Sequence, residues 1–388
     1  MLRLSLFTER VSELYQGGLR DLRQRPKHNV PGLDVLRCFA ILVVVIAHGA
    51  GAFKAPPWFG TSPFVRWGWT GVDLFFVLSG LLIGTQLWRE LDRTGDIRIG
   101  RFLLRRGLRI WPLYTSLVVF IFGEVVLLGR DGSGLWSDAA YLSNYFHCQI
   151  GGSWSLSTEE QFYILAPVFL VAISKILKPR RMWIIPAAAL AGLSLMRMYA
   201  VGHSTLSEDR LRQVLYFPIH THADGLAVGL LLAWMAVMHR EWIRSAATRY
   251  SIAAVALGAG VLLYRVAQVV TNFAVLALIY GSVTLLIMAP KRLPAVFNWH
   301  GFYVVSRLSY GMYLNHFGLL EHLSSYFVGW RKAAGEPAFW VLQAISLVLS
   351  VGLACVTFLL IEWPFLRLRD HWLAKNRAQE PTTVASPA

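Results

Sequence analysis

The stretch VLQAISLVLSVGLACVTFLLI, residues 341–361, decides the class of this protein because it contains no charged side chain. A transmembrane helix needs about 20 mostly apolar residues, since the hydrocarbon core of a bilayer is about 30 Å thick. The whole chain of 388 residues has the same character, with 55% hydrophobic and 15% charged residues. Soluble domains have roughly a quarter charged residues. The sequence therefore predicts an all-α polytopic membrane protein.

Ten segments of the chain match this apolar pattern, and we expect each of them to be a transmembrane helix. The predicted spans are 33–52, 69–87, 109–128, 159–177, 182–200, 213–238, 251–269, 272–289, 303–327 and 338–361. The turn between the seventh and eighth spans is short, so one long broken helix is the alternative there.

The charges indicate how the chain is oriented. The formal net charge is +15, and the basic residues fall in alternate loops, as between Arg89 and Arg109. The long loop 129–158 has Arg130 as its one basic residue other than histidine. Because basic loops stay on the cytoplasmic side, we expect both termini to be cytoplasmic, which agrees with an even number of spans. This distribution indicates membrane topology, and we expect no nucleic-acid partner.

The chain divides into three regions. These are a cytoplasmic N-terminal segment, 1–30, a membrane domain, 31–367, and a cytoplasmic tail, 368–388, which we expect to be partly disordered. The N-terminus lacks an apolar core segment, so we expect no cleaved signal peptide. Cys38 and Cys355 lie in predicted spans and Cys148 lies in the 129–158 loop, so no disulfide framework is expected.

In the first span, Arg37 and His48 enclose the apolar run CFAILVVVIA. Eleven residues at about 100° each amount to about three full turns, so the two side chains share one helix face, about 16 Å apart along the axis. With a cytoplasmic N-terminus, Arg37 lies near the cytoplasmic surface and His48 near the outward end. Alone, Arg37 fits a snorkelling anchor and His48 an interfacial histidine. Their common face favours a functional pair.

Two carboxylates are expected at the outward depth of His48. Asp73 begins the second span in TGVDLFFVLSGLLIG, and Glu159 lies in WSLSTEEQFY. Either carboxylate could hold the His48 imidazole in one tautomer. The structural alternative for Asp73 is a carboxylate at a helix N-terminus. The structural alternative for WSLSTEEQFY is a capping box formed by Ser157 and Glu160, and this alternative leaves Glu159 unexplained.

Arginines near the cytoplasmic end of the third span form a candidate anion site. In RRGLRIWPLY, Arg106 and Arg109 are three residues apart and share a helix face. Guanidinium groups match phosphate oxygens in pairs, so these two residues and Arg37 could bind an anion together. Positive-inside anchoring is the structural alternative for each arginine taken alone.

The segment HTHADGLA contains three residues of types that bind metals, His220, His222 and Asp224. We expect no metal site there, because offsets of two and four residues do not converge on one helix face. Two further ionisable residues lie in the membrane region: His316 in the ninth predicted span and Glu362 at the end of the tenth.

Together, these motifs resemble the acyltransferase-3 family of integral membrane O-acyltransferases. The resemblance rests on Arg37-x10-His48, GVDLFFVLSGLLIG, RRGLRIWPLY, WSLSTEEQFY, DGLAVG, SYGMYLNH and EWPF, and covers residues from about 31 to 367. Each motif alone is weak, but the combination is specific. The chain departs from the family at His222 and Ala223, where an arginine commonly stands. The fused hydrolase-like domain that many members carry is not found, which points to a standalone membrane domain.

The resemblance implies a bacterial inner-membrane enzyme that transfers an acyl group, with acetyl as the default. The donor would be cytoplasmic acyl-CoA and the acceptor a hydroxyl of an envelope or exported glycan. In the family the residue matching His48 is the expected catalytic residue. Those matching Arg37, Arg106 and Arg109 are expected to serve the donor.

From the residues themselves, His48 would be the general base on the acceptor hydroxyl. Covalent acylation of this histidine is the alternative. Asp73 or Glu159 would orient its imidazole, and no metal takes part.

Other functions fit parts of the same pattern. A proton-coupled small-molecule transporter could use His48, Asp73, Glu159, Arg265 and Glu362, although no inverted repeat is visible. A membrane scaffold without catalysis, or an O-acyltransferase acting on a small secondary metabolite, are further alternatives. Consumption of acyl-CoA would separate the enzymes from the other two classes.

Overall fold

The structure, a computed structural model, describes residues 13, 15–26, 29–266, 268–288 and 294–378. No strand occurs in these residues. The labelled helices are α1 (Pro31–Ala52), α2 (Gly71–Thr94), α3 (Ile99–Leu128), α4 (Ser153–Ser174), α5 (Ile184–His203), α6 (Glu208–Tyr216), α7 (Asp224–Met238), α8 (Ala246–Val266), α9 (Gln268–Ile287), α10 (His300–Tyr326), α11 (Glu336–Thr357) and α12 (Trp363–Ala378). A π-helical turn, Phe358–Glu362, joins the last two.

Shorter helical pieces connect the long helices. The α-helical ones are Pro57–Gly60, Pro63–Arg66, Leu135–Ala139, Arg240–Arg244 and Val328–Ala334, and the 3₁₀ turns are Gly68–Thr70, Pro179–Arg181 and Ala295–Asn298. Residues 15–23 are also helical.

Seven helical stretches of the described residues are long and apolar enough to cross a membrane. They are Pro31–Ala52, Gly68–Thr94, Ile99–Leu128, Ser153–Ser174, Pro179–His203, Ala246–Arg265 and Glu336–Lys375. Two shorter apolar helices, Asp224–Met238 and Asn272–Ile287, lie among them. The chain is therefore an all-α polytopic membrane protein. The count of ten spans and the cytoplasmic side of both termini stay predictions.

The sixth predicted span, 213–238, is wrong as a single helix. A non-helical segment containing Pro218 separates α6 from α7. Proline has no backbone N–H and disfavours the helical conformation of the residue before it, so it interrupts the apolar run. His220 and His222 lie in this break. The argument from helix faces against a metal site therefore does not apply to them.

Other boundaries also differ from the prediction. The helix α3 begins ten residues before the expected span, and α4 begins six residues before it. Hydropathy reports the part of a helix that faces lipid, so polar turns that extend the helix are missed. Residues 269–272, where a turn was expected, are helical. The helices α8 and α9 pack against each other, so they form a hairpin and not one broken helix.

Small residues allow the closest helix contact of the core. A Cβ atom at Gly80 of α2 would overlap the carbonyl O of Leu226, and one at Gly229 of α7 would overlap that of Val77. From this pair the packing continues in the order α7, α2, α1, α10, α11. The helices α3 and α4 lie beside this row and enclose the cavities described next.

Candidate active site

Three predicted arginines meet in one cavity, which we call the arginine cavity. It has a volume of about 130 Å³, and Arg37 from α1, Arg106 and Arg109 from α3, and Glu159 from α4 line it. Its other polar lining residues are Ser79, Ser155, Tyr163, Ser309, Tyr310 and Tyr313. The fold therefore brings together the arginines of two motifs that lie about 70 residues apart in the sequence.

The arginine cavity has an excess of positive charge. Within the described part of the chain, Arg37, Arg106 and Arg109 make no ion pair and no hydrogen bond to another residue. The guanidinium of Arg106 lies over the ring of Tyr163, 5.9 Å from its centroid. Three guanidinium groups face one carboxylate, and charges in a medium of low dielectric constant are costly without a partner. A bound anion would offset this cost.

The contacts of His48 select one tautomer of its ring. Its Nδ1 lies 2.9 Å from Nε2 of His316, and Nδ1 of His316 lies 2.6 Å from the carbonyl O of Tyr313. A carbonyl only accepts, so Nδ1 of His316 donates, and in the neutral ring its Nε2 accepts. His48 therefore donates from Nδ1. Its Nε2 keeps the lone pair that a general base needs.

His48 borders a second cavity, which we call the large cavity. It has a volume of about 1140 Å³ and lies between α3, α10 and α11, with part of the 129–152 loop on its wall. Phe317 packs on the His48 ring with centroids 4.5 Å apart, which fixes one side of the imidazole. The half-buried His48 is thus at the edge of a space large enough for a sizeable substrate.

The two cavities follow each other along the same two helices. On α3, Arg106, Arg109 and Ile110 line the arginine cavity, and the residues that follow, Leu113, Ser116 and Leu117, line the large cavity. On α10, Ser309, Tyr310 and Tyr313 line the arginine cavity, and Leu314, Asn315 and Phe317 line the large cavity. Tyr313 lies between the two sets. Its hydroxyl is 2.6 Å from Oγ of Ser155 and donates to the carbonyl O of Gly152 at 3.1 Å. It is the last residue of α10 that lines the arginine cavity, and the adjacent Leu314 lines the large cavity.

Asp73 has a different partner from the one expected. Its Oδ1 lies 2.9 Å from Nε2 of His222, and the fully buried His222 also places Nδ1 2.5 Å from the carbonyl O of Tyr216. The expected contact with His48 is not among the contacts of the described residues, and the nitrogen that Asp73 would have oriented is held by His316. Asp73 therefore ties α2 to the break before α7.

Glu159 also lies away from His48, on the wall of the arginine cavity. Its Oε2 accepts a hydrogen bond from Tyr163 at 2.8 Å, and Tyr163 bonds Ser79 of α2 at 2.7 Å. The predicted capping box is wrong, because α4 begins at Ser153 and Ser157 lies inside the helix. Since α4 starts four residues before Ser157, Glu159 is more than a turn into the helix and points to the arginines.

The sequence marked His316 as an ionisable residue of a predicted span without giving it a role, and it did not single out Tyr313 or Arg197. The role of His316 depends on its contact with His48, which is 268 residues away along the chain. Tyr313 lines the arginine cavity. Arg197 of α5 is fully buried and pairs with Asp224 of α7 at 2.7 Å. A signal for Arg197 was present, since a lone arginine within a predicted span requires a partner. No such signal pointed to Tyr313.

The comparisons with known proteins agree with this geometry. A family model described as an acyltransferase domain matches residues 30–361. The protein named "Putative O-acetyltransferase SACOL0978" of Staphylococcus aureus (strain COL) is 27% identical over 367 residues, covering 87% of this chain and 57% of that protein. O-acetyltransferase OatA of Staphylococcus aureus (strain MRSA252) is 26% identical over 393 residues, covering 92% of this chain and 60% of that protein.

No solved structure matches the chain. The chain spans about three fifths of the length of the curated relatives it matches. The family model covers most of the chain, and the arginine cavity and the histidine pair lie within residues 30–361. The chain therefore belongs to the acyltransferase-3 family of membrane O-acyltransferases.

Proposed function

We propose that the protein transfers an acyl group from acyl-CoA to an acceptor hydroxyl, with the donor in the arginine cavity and the acceptor in the large cavity. The observation that carries the proposal is the order of the two cavities along α3 and α10, with His48 on the far side of Tyr313. An acyl transferase must bring a charged donor and a hydroxyl to one base. Adjacent cavities, one cationic and one beside a histidine, support that arrangement.

The donor fits the chemistry of the arginine cavity. Coenzyme A carries phosphates, which the guanidinium groups of Arg37, Arg106 and Arg109 would bind. The cavity is narrow, so the thin pantetheine arm would enter it and pass Tyr313 towards His48. Arg37 and His48 are about 16 Å apart along α1, which is a length that such an extended arm can bridge. Glu159 would balance the arginine charge and position the guanidinium groups around the donor.

The reaction follows from the tautomer of His48. Its Nε2 takes the proton of the acceptor hydroxyl while the hydroxyl oxygen attacks the thioester carbonyl. When the tetrahedral intermediate collapses, the C–S bond breaks and the thiolate of coenzyme A takes the proton back from Nε2. The ester of the acceptor and free coenzyme A are the products. His316 would be a positioning residue that accepts from Nδ1 throughout. Asp73, which is bonded to His222, would stabilise the helices and not the reacting ring.

The acyl group, the acceptor and the location are proposed with support from the family and its named relatives. Two of them are named as O-acetyltransferases, which supports acetyl as the acyl group. An acceptor hydroxyl on a glycan of the bacterial envelope, reached from the outward side of the inner membrane, would suit a cavity bordered by the 129–152 loop. The donor would come from the cytoplasm.

The test compares purified wild-type protein with His48→Ala. Release of the coenzyme A thiol from acetyl-CoA is measured with and without envelope glycans, and donor binding is measured separately. We expect thiol release that increases with acceptor in the wild type, its loss in His48→Ala, and equal donor binding in both. His203→Ala is the matched control, because His203 is an exposed histidine that lines neither cavity. Absence of thiol release across several acyl chain lengths and acceptors would reject the proposal and favour transport, to be measured as flux into vesicles.

A further inference from the structure

The wall of the large cavity on α3 is mostly apolar over a long distance. Leu113, Leu117, Phe120, Ile121 and Val125 line it, and Ser116 and Glu124 are the polar residues of this wall. From the first to the last of these residues the helix rises about 18 Å. This length exceeds half of a hydrocarbon core of about 30 Å. A small polar substrate would leave most of this wall without contact.

The large cavity is open on the flank of the molecule between α3 and α11. Phe120 and Leu353 both line it, although 60% and 40% of their respective surfaces are exposed. Both residues belong to helices that are long and apolar enough to cross a membrane. In a membrane their exposed surface would face lipid, and a gap between them would connect the cavity with the bilayer.

This gap lies near the depth of His48. Nδ2 of Asn315 is 3.4 Å from Oγ1 of Thr357, which is one helical turn from Leu353. Asn315 precedes His316, the partner of His48. A molecule that enters between α3 and α11 therefore reaches the reactive nitrogen without passing the arginine cavity.

Charged groups and an amide border one end of the large cavity: Glu124, Arg130, Asp131, Gln149, Glu321 and His322. Ser116, Asn315 and Thr357 are further polar residues of its lining, nearer His48. Arg130 pairs with Glu124 at 3.4 Å, and the amide of Gln149 donates to the carbonyl O of Asp131. Charges of both signs and amide groups suit a neutral headgroup rich in hydroxyls better than one with a strong charge of its own.

We propose that the acceptor is an amphiphile, a hydroxyl-rich saccharide headgroup joined to an apolar tail. The headgroup occupies the large cavity beside His48, and the tail leaves between Phe120 and Leu353 into the bilayer. This inference rests on the proposed acyl transfer and names the class of its acceptor. Moving the tail from lipid to the apolar wall of the cavity contributes little binding free energy, because both environments are apolar. Its effect is to concentrate the headgroup at the membrane and to orient it in the cavity.

Acylation of matched acceptors tests the tail directly. The protein is reconstituted in nanodiscs of phosphatidylcholine, which has no hydroxyl to acylate, and given acetyl-CoA with dodecyl maltoside or with maltose. Acetylated products are measured by mass spectrometry. We expect kcat/KM to be at least about tenfold higher for dodecyl maltoside, which shares its headgroup with maltose. Equal values for the two acceptors would overturn the proposal and leave acyl transfer itself intact.

A second measurement does not depend on turnover. A dodecyl maltoside analogue with a photoreactive diazirine near the end of its tail is crosslinked, and the labelled peptides are mapped. We expect labels within 113–125 and 353–361, reduced by excess dodecyl maltoside. If all lipid-facing helices were labelled equally and excess dodecyl maltoside did not reduce the labelling, the analogue would be an adventitious additive only, and the proposal would be overturned. Specific labelling without acetylation of either acceptor would reject the proposed reaction and retain the amphiphile site.

Two substitutions on α11 provide the matched comparison. Leu353→Trp narrows the gap, whereas Val356→Trp adds the same ring to a residue that is 50% exposed and does not line the cavity. We expect Leu353→Trp to raise KM for dodecyl maltoside about tenfold and to suppress tail crosslinking, with acetyl-CoA binding unchanged. Val356→Trp should behave like the wild type. If both variants kept the wild-type KM and the wild-type level of crosslinking, the proposed exit of the tail between Phe120 and Leu353 would be contradicted.

Discussion

At the scale of single residues, the chemistry of His48 depends on what its Nδ1 nitrogen contacts. His316 accepts there only because its own Nδ1 donates to the carbonyl O of Tyr313. A backbone carbonyl cannot change its role, so the direction of both hydrogen bonds is fixed by the main chain of α10. The sequence placed an ionisable residue at His316, but it offered two carboxylates as the orienting group for His48, and neither contacts it.

We predict that His316→Leu lowers kcat about 100-fold and leaves KM for the donor nearly unchanged. Leucine cannot accept from Nδ1 of His48, so the ring loses the contact that selects its tautomer, and general-base catalysis contributes about 10²–10⁴-fold. Steady-state kinetics of thiol release provide the measurement. His316→Gln is the control, since its amide oxygen can accept and should restore most of kcat. Equal activity of the leucine variant and the wild type would show that His316 does not position His48.

We predict that Arg106→Gln weakens binding of acetyl-CoA by about 10- to 100-fold, because a hydrogen bond to a charged group contributes about 1.5–3 kcal/mol. Isothermal titration calorimetry of purified protein measures this. Arg93→Gln removes the same charge from an exposed position on α2 that lines neither cavity, and it should bind donor like the wild type. If the two variants lost affinity equally, net charge and not the arginine cavity would bind the donor.

At the scale of elements, prediction succeeded where apolar periodicity decided the structure and failed where a polar contact did. The continuous apolar run of α11 identified a helix that is long and apolar enough to cross a membrane. The break at Pro218 was missed because apolar residues continue on both sides of it. Glu159 was predicted at the outward end of its helix because the polar first turns of α4 lie outside the apolar stretch that defined the predicted span 159–177. Tertiary contacts such as that of Asp73 with His222 have no signature along the chain.

The ion pair between α5 and α7 supports a prediction about stability. Arg197 and Asp224 are both fully buried, and Arg197 also donates to the carbonyl O of Thr221. We expect Arg197→Met to lower stability by about 3–5 kcal/mol, because it leaves a buried carboxylate without its partner. Thermal unfolding in detergent measures the change. The double variant with Asp224→Asn removes that charge and should recover part of the loss. A double variant less stable than Arg197→Met would contradict the assigned pairing.

At the scale of the whole molecule, the proposed function depends on two cavities that share α3 and α10. The three arginines and the histidine could be selected from sequence because each lies in a spanning helix and carries a charge or a proton. The cavities themselves could not be predicted, since they arise where α3 diverges from α10 and α11. In the proposed function, this arrangement would let a soluble donor and a membrane acceptor approach one base from different openings.

The most direct test of this account uses sealed vesicles in which the protein has one orientation. Labelled acetyl-CoA is enclosed on the side of the arginine cavity, and dodecyl maltoside or envelope glycan is added to the opposite side only. We predict labelled ester on the acceptor side, its absence with His48→Ala, and no escape of intact acetyl-CoA. Labelled ester that forms only when donor and acceptor are on the same side would contradict transfer between the two cavities.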